Sequence, residues 1–132
     1  MSKHADGLIQ DQLDNRWMYT STGTNATLTA ALKSAPISSK EVTHLDFFNM
    51  TILNKNTPTA TVAAQIRDAS VAGTVLAQWP LIVGPSQVAQ VSPSDFHVFA
   101  TPGAGLFFTL DTVQPSVTAT VNAGGWTDQT KG

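Results

Sequence analysis

Hydrophobic positions along most of this chain recur with a period of two. Leu28, Ala30 and Leu32 alternate with Thr27, Thr29 and Ala31. That pattern predicts a half-buried strand, broken by Ala35-Pro36. The strongest strand signal covers residues 41–54, with Val42, Leu45, Phe47, Phe48, Met50, Ile52 and Leu53. Adjacent Phe47 and Phe48 cannot share one side of a regular strand, so either both faces are covered or a bulge sits there. Asn54-Lys55-Asn56-Thr57-Pro58 then reads as a turn. Residues 59–68 place Ala60, Val62, Ala64 and Ile66 on one face and Thr59, Thr61, Ala63, Gln65 and Arg67 on the other. Further strands are predicted over 74–81, 88–91 (limited by Pro93), 96–100, 106–111 and 117–123. Between them lie a loop over 68–73 and the turns Gly84-Pro85-Ser86 and Pro102-Gly103-Ala104-Gly105. Gly124-Gly125-Trp126 precedes a polar tail.

About eight short strands, with turn signals every 8–12 residues, predict an all-β fold. The expected architecture is a single antiparallel β-sandwich, jelly-roll or Ig-like, a choice the strand count leaves open. No internal repeat is present, which argues against a propeller or solenoid. Residues 1–25 look different. They carry Lys3, Asp6, Asp11, Asp14 and Arg16, and a one-turn apolar stripe of Leu8, Ile9 and Leu13 that Gly7 weakens. They are expected to form an N-terminal arm with one anchored piece, Arg16-Trp17-Met18-Tyr19. The sandwich is expected over 26–127 and a short tail over 128–132.

Composition narrows the functional classes. At 132 residues the chain has the length of one domain. Charged residues are 12% of it, about half the usual share. The net charge is −2 and no basic stripe is present, so direct nucleic-acid binding is not expected. No run of 18 apolar residues exists, so no transmembrane helix is expected. The opening residues are polar and lack the apolar core of a signal peptide. Cysteine is absent, which excludes a disulfide framework and thiol chemistry.

The side chains that carry chemistry are sparse. His44 and Asp46 stand at i and i+2, as do Asp95 and His97. Two such pairs on neighbouring strands would make a four-ligand metal site. The simpler reading, that each marks a solvated strand end, is preferred, and no metal or other cofactor is expected. No G-x-S-x-G nucleophile elbow occurs. Glu41 is the only glutamate, and Asp46, Asp68, Asp95 and Asp111 fall near strand ends or turns, where Asp is common. Pro102-Gly103-Ala104-Gly105 lacks the Lys-Ser/Thr of a phosphate loop. No catalytic residue is assigned. Trp79 alternates with Ala77 and Leu81 and reads as core. Trp17 and Trp126 lie near opposite ends of the chain and suit a subunit contact. Together with Leu8, Ile9, Leu13 and Tyr19 they are the interface candidates. Asn25-Ala26-Thr27 and Asn49-Met50-Thr51 match the glycosylation acceptor pattern, but without an export signal neither is read as used.

Residues 45–126 carry four segments with a shared style. They are Phe48-Asn49-Met50-Thr51-Ile52-Leu53-Asn54, Thr61-Val62-Ala63-Ala64-Gln65-Ile66-Arg67-Asp68, Gly73-Thr74-Val75-Leu76-Ala77-Gln78-Trp79-Pro80-Leu81 and the closing Val117-Thr118-Ala119-Thr120-Val121-Asn122-Ala123-Gly124-Gly125-Trp126. In this the chain resembles small β-sandwich structural proteins of tailed bacteriophages, which pair a strand ending in Asn with an I-R-D-G strand and a G-T-V-L return. The glycine expected after Asp68 is missing, and Ala69-Ser70-Val71-Ala72 lengthens the hairpin instead. The resemblance implies a capsid decoration (cement) protein on the virion surface, made in the host cytoplasm. It implies a homo-oligomer, with a trimer favoured, whose partner is the major capsid protein or another virion protein. Alternatives are a tail or fibre accessory protein, or a carbohydrate-binding module using Trp17 or Trp126.

Overall fold

Alternation becomes strand where one face of a segment can be buried. The computed structural model describes residues 16–24, 30–112 and 117–129. In them the chain forms β1 (Arg16–Thr24), β2 (Ala30–Lys33), β3 (Glu41–Leu53), β4 (Ala60–Asp68), β5 (Val75–Val83), β6 (Val88–Val91), β7 (Val98–Phe99), β8 (Leu106–Thr112) and β9 (Thr118–Gln129). No helix occurs among the described residues. One sheet has the order β1-β9-β3-β6, with β7 pairing a separate stretch of β3; the other has the order β2-β8-β4-β5. All pairs are antiparallel, and the two sheets form a β-sandwich.

The buried face of each strand is the one the alternation marks. Leu45, Phe48, Met50 and Ile52 of β3 and Ala119, Val121 and Ala123 of β9 line one side of the core. Ala60, Val62, Ala64 and Ile66 of β4 and Leu106, Phe108 and Leu110 of β8 line the other. Phe48 stacks on Trp79 across the gap, with ring centroids 4.8 Å apart and planes 4° apart. Phe96 tilts against Trp79, with ring centroids 5.4 Å apart and planes 56° apart. Burying a side chain of this size stabilises by about 1.5–3 kcal/mol.

The paired phenylalanines are settled by alternation and a bulge together. Phe48 points inward at 2% exposure and Phe47 outward at 46%. The register of β3 against β9 shifts between Leu45 and Phe47, so Asp46 is the extra residue. Strand β9 runs through Gly124 and Gly125 rather than ending before them. A Cβ at Gly125 would lie 1.8 Å from the His44 carbonyl oxygen. The glycine is therefore what lets β9 approach β3 beside the bulge, and not a strand terminator. In the N-terminal region, the anchored piece extends to Thr24 as β1.

Two polar anchors fix the turns. Asn54 is fully buried, and its Nδ2 donates to the carbonyls of Pro58 at 2.9 Å, Val83 at 3.0 Å and Gly84 at 3.3 Å. Its Oδ1 accepts from the backbone N–H of Asn56 at 2.9 Å. One side chain thus ties the β3–β4 turn to the β5–β6 turn. Asp68 does similar work at the other end of β4, accepting from the Thr101 N–H at 3.0 Å and hydroxyl at 2.6 Å. Ala69, which follows it, has φ +71°. It occupies the left-handed conformation that glycine adopts at least cost.

Candidate functional site

The outward face of the β1-β9-β3 sheet gathers the residues that could do chemistry. Cross-strand pairing sets Arg16 of β1 beside Trp126 of β9, Trp126 beside His44 of β3, and His44 beside Phe99 of β7. Residues two apart on a strand share a face, so Asp128 joins this row from β9. His97, just before β7, closes it.

The result is a hydrogen-bonded relay under an aromatic cover. His44 Nε2 lies 3.0 Å from Asp128 Oδ1, and His44 Nδ1 lies 2.9 Å from His97 Nε2. The planes of the two imidazoles are 11° apart, with ring centroids 5.1 Å apart. Trp126 lies nearly parallel to both, with centroids 4.4 Å from His44 and 5.3 Å from His97. Phe99 tilts against both imidazoles at 5.9 Å. The network itself assigns the tautomers, because ring hydrogens are not directly located. A carboxylate can only accept, so His44 carries its proton on Nε2 and donates to Asp128. In neutral His44, Nδ1 is then an acceptor, and His97 Nε2–H donates to it. The His44 side chain is 14% exposed and that of Asp128 54%.

This arrangement orients imidazoles and holds β7 against β3 and β9. Among the described residues, the ring nitrogens of His44 and His97 bond only each other and Asp128, so no hydroxyl nucleophile is engaged. Nor does any group of three or more His, Cys, Asp or Glu among the described residues have the placement to hold a metal ion. His44 and His97 do meet, but without the aspartates that spacing assigned to them. The bulge turns Asp46 toward Arg16, which donates to it at 3.0 Å. Asp95 has φ +53°, outside the extended conformation in which i and i+2 share a face.

Trp17 is buried in the core at 7% exposure. Tyr19 is half-buried and packs against the same core. Trp17 and Trp126, from the two ends of the chain, come to adjacent strands on opposite faces of one sheet. Leu8, Ile9 and Leu13 lie outside the described residues. Beside Arg16 a groove of about 340 Å³ is lined by Trp17, Lys33, Pro36, Ile37 and Glu41. Ile37 there is fully exposed. Asp128 was missed by reading the sequence. Its one signal was the i, i+2 spacing to Trp126, which carries weight only once β9 is known to continue past the glycines.

Further along the same face the sheet is polar. Thr20 donates to Asn122 at 3.0 Å, Thr22 and Thr120 share a hydrogen bond at 3.0 Å, and Asn49 donates to Ser92 at 3.3 Å.

No protein-family model matches the sequence, and no curated protein matches it either. Several solved structures are similar to the chain at low identity. The Anabaena sensory rhodopsin transducer is 15% identical, with 79% of this chain covering 90% of that one at a TM-score of 0.35. A chain of the T13 IBDV viral particle is 12% identical at a TM-score of 0.44, with 88% of this chain covering 32% of that one. This chain therefore spans about a third of that chain's length. A chain of the cyanophage Pam1 capsid asymmetric unit is 12% identical, with 85% of this chain covering 86% of that one at a TM-score of 0.39.

Proposed function

We propose that this chain is a non-enzymatic virion structural protein, a capsid decoration (cement) protein that binds the major capsid protein or another virion component and stabilises a phage head. The observation that carries the reading is where the phage-like segments fall. The strand-ending Asn54 joins two turns, and Asp68 of the Ile66-Arg67-Asp68 segment anchors Thr101. Arg67 donates to the Gly73 carbonyl at 2.8 Å, closing the hairpin that leads into the Gly73-Thr74-Val75-Leu76 return. The segments that carry the resemblance are thus the ones that fix the sandwich. The sheet face of threonine and asparagine pairs supplies broad polar contact with few charges, which suits many weak contacts repeated over a lattice. The three tryptophans do not share a face, and Trp126 is stacked with histidines, so a platform of coplanar sugar-stacking rings is not favoured.

In this reading the protein is a homo-oligomer on the capsid surface, with a trimer favoured by the resemblance, after synthesis in the host cytoplasm. Residues 1–15, which join the sandwich at Arg16 beside the Trp17–Ile37 groove, carry the attachment contacts through Leu8, Ile9 and Leu13. The test is co-sedimentation of the purified chain with phage heads stripped of it. Saturable binding is expected. Deleting residues 1–15 is expected to cut that binding while leaving the thermal transition in place. Failure of the full chain to bind any head preparation would sink the decoration role. Undiminished binding by the shortened chain would remove the arm from it.

A further inference from the structure

An edge strand offers a row of backbone N–H and C=O groups to any extended partner. Sheets ordinarily protect such edges with short strands, prolines, charges or bulges. Four edge strands of this sandwich are protected in that way. Strand β2 has four residues and a register shift against β8. Strand β5 carries Pro80 in its middle, and β6 and β7 have four and two residues. Among the described residues, strand β1 shows none of these devices. It is nine residues long, contains no proline, and pairs with β9 without a register shift. Its one charged residue, Arg16, stands at its first position. Among the described residues β9 is its only strand partner.

The side chains of β1 say what fits there. When a second β1 is laid antiparallel to the first, with Thr20 opposite its own copy, Arg16 faces Thr24, Trp17 faces Gly23, Met18 faces Thr22 and Tyr19 faces Ser21. Each large side chain meets a small one, on the core side and on the outer side alike. Threonine opposite threonine is a favourable cross-strand pair. The two Arg16 residues lie at opposite ends of the ladder, about 27 Å apart at ~3.4 Å per residue, so like charges never oppose. Sliding the register by two residues sets Tyr19 or Ser21 against its own copy and shortens the ladder. A slide of one residue would turn one chain's core face to the outside.

We propose that β1 is a homotypic docking edge, at which two copies of this chain join antiparallel into one sheet running through both. Such a two-fold contact stands apart from the capsid reading, since it joins two single chains or two larger oligomers equally well. Opposed residues in an antiparallel pair have Cα atoms about 4.5–5.5 Å apart, within the range a disulfide spans. The test is cysteine cross-linking of the full chain under mild oxidation. Thr20→Cys is expected to give a linked species of twice 13.9 kDa. Thr22→Cys alone is expected to stay unlinked, because its copy lies about 14 Å away along the ladder. A mixture of Thr22→Cys and Met18→Cys chains is expected to link. All three side chains lie on the exposed face of the sheet, and an unchanged circular dichroism spectrum confirms that each variant folds. Absence of a Thr20→Cys link, or equal linking by Thr22→Cys alone, would overturn the proposal. Capsid co-sedimentation is a separate readout, so failure here leaves that reading standing.

Discussion

Replacing Asn54 by alanine removes the donor that serves three carbonyls and the acceptor that serves Asn56. The Val83 carbonyl bond is fully buried and those to Pro58 and Gly84 are partly buried. Leaving a buried acceptor unpaired costs about 1–3 kcal/mol, and each partly exposed bond contributes about 0.5–1.5 kcal/mol net. The expected loss is about 3 kcal/mol. For a chain of this size that lowers the melting temperature by roughly 10 °C. Asn54→Asp is the sharper probe. It keeps the shape and the acceptor for Asn56 but turns a second oxygen toward three carbonyl oxygens. Burying an unpaired carboxylate costs more than removing the group. The expected order of stability is therefore wild type, then alanine, then aspartate. Urea titration followed by tryptophan fluorescence measures it. A loss under ~1 kcal/mol for alanine, or an aspartate variant as stable as wild type, would refute the linking role given to Asn54.

Two further outcomes follow from local geometry. Ala69→Gly is expected to stabilise by about 0.5–1 kcal/mol, since it relieves a left-handed alanine at φ +71° and the relief exceeds the entropy glycine adds to the unfolded chain; a lower denaturation midpoint would contradict this. Ring-nitrogen NMR in neutral-to-alkaline buffer is expected to find His44 protonated on Nε2, and Asp128→Ala to abolish that preference; a wild-type His44 protonated on Nδ1 would reverse the direction of the relay.

The legible part of this protein was local. A period of two over residues 41–54, 59–68 and 106–111 marked the buried faces of β3, β4 and β8, because a pleated strand presents alternate side chains to the core whatever its partner is. The turn signal at Asn54-Lys55-Asn56 was equally plain, although its side-chain bonds to Val83 and Gly84 join positions 29 and 30 residues away. The candidate site was not legible. His44 is 53 residues from His97 and 84 from Asp128. Their meeting depends on β9 lying between β1 and β3, and on β7 pairing beside them. The i, i+2 rule that tied His44 to Asp46 and His97 to Asp95 failed at a bulge and at a left-handed residue. The bulge left its mark only in the adjacent Phe47 and Phe48, which did not say where Asp46 would turn, and the left-handed Asp95 left none on the hydrophobic pattern.

The sequence by itself determined that this chain folds as strands, which faces they bury, where most of them turn, and that thiol chemistry is excluded. Hydrophobic alternation and turn residues act over a few positions, so they can be read in order along the chain. Tertiary structure alone decided which strands are neighbours, that β9 continues through Gly124 and Gly125, that Asp46 turns to Arg16, and that β1 pairs with β9 alone among the described strands. Each of these depends on what packs across from a residue, and strand pairing over tens of residues sets that partner.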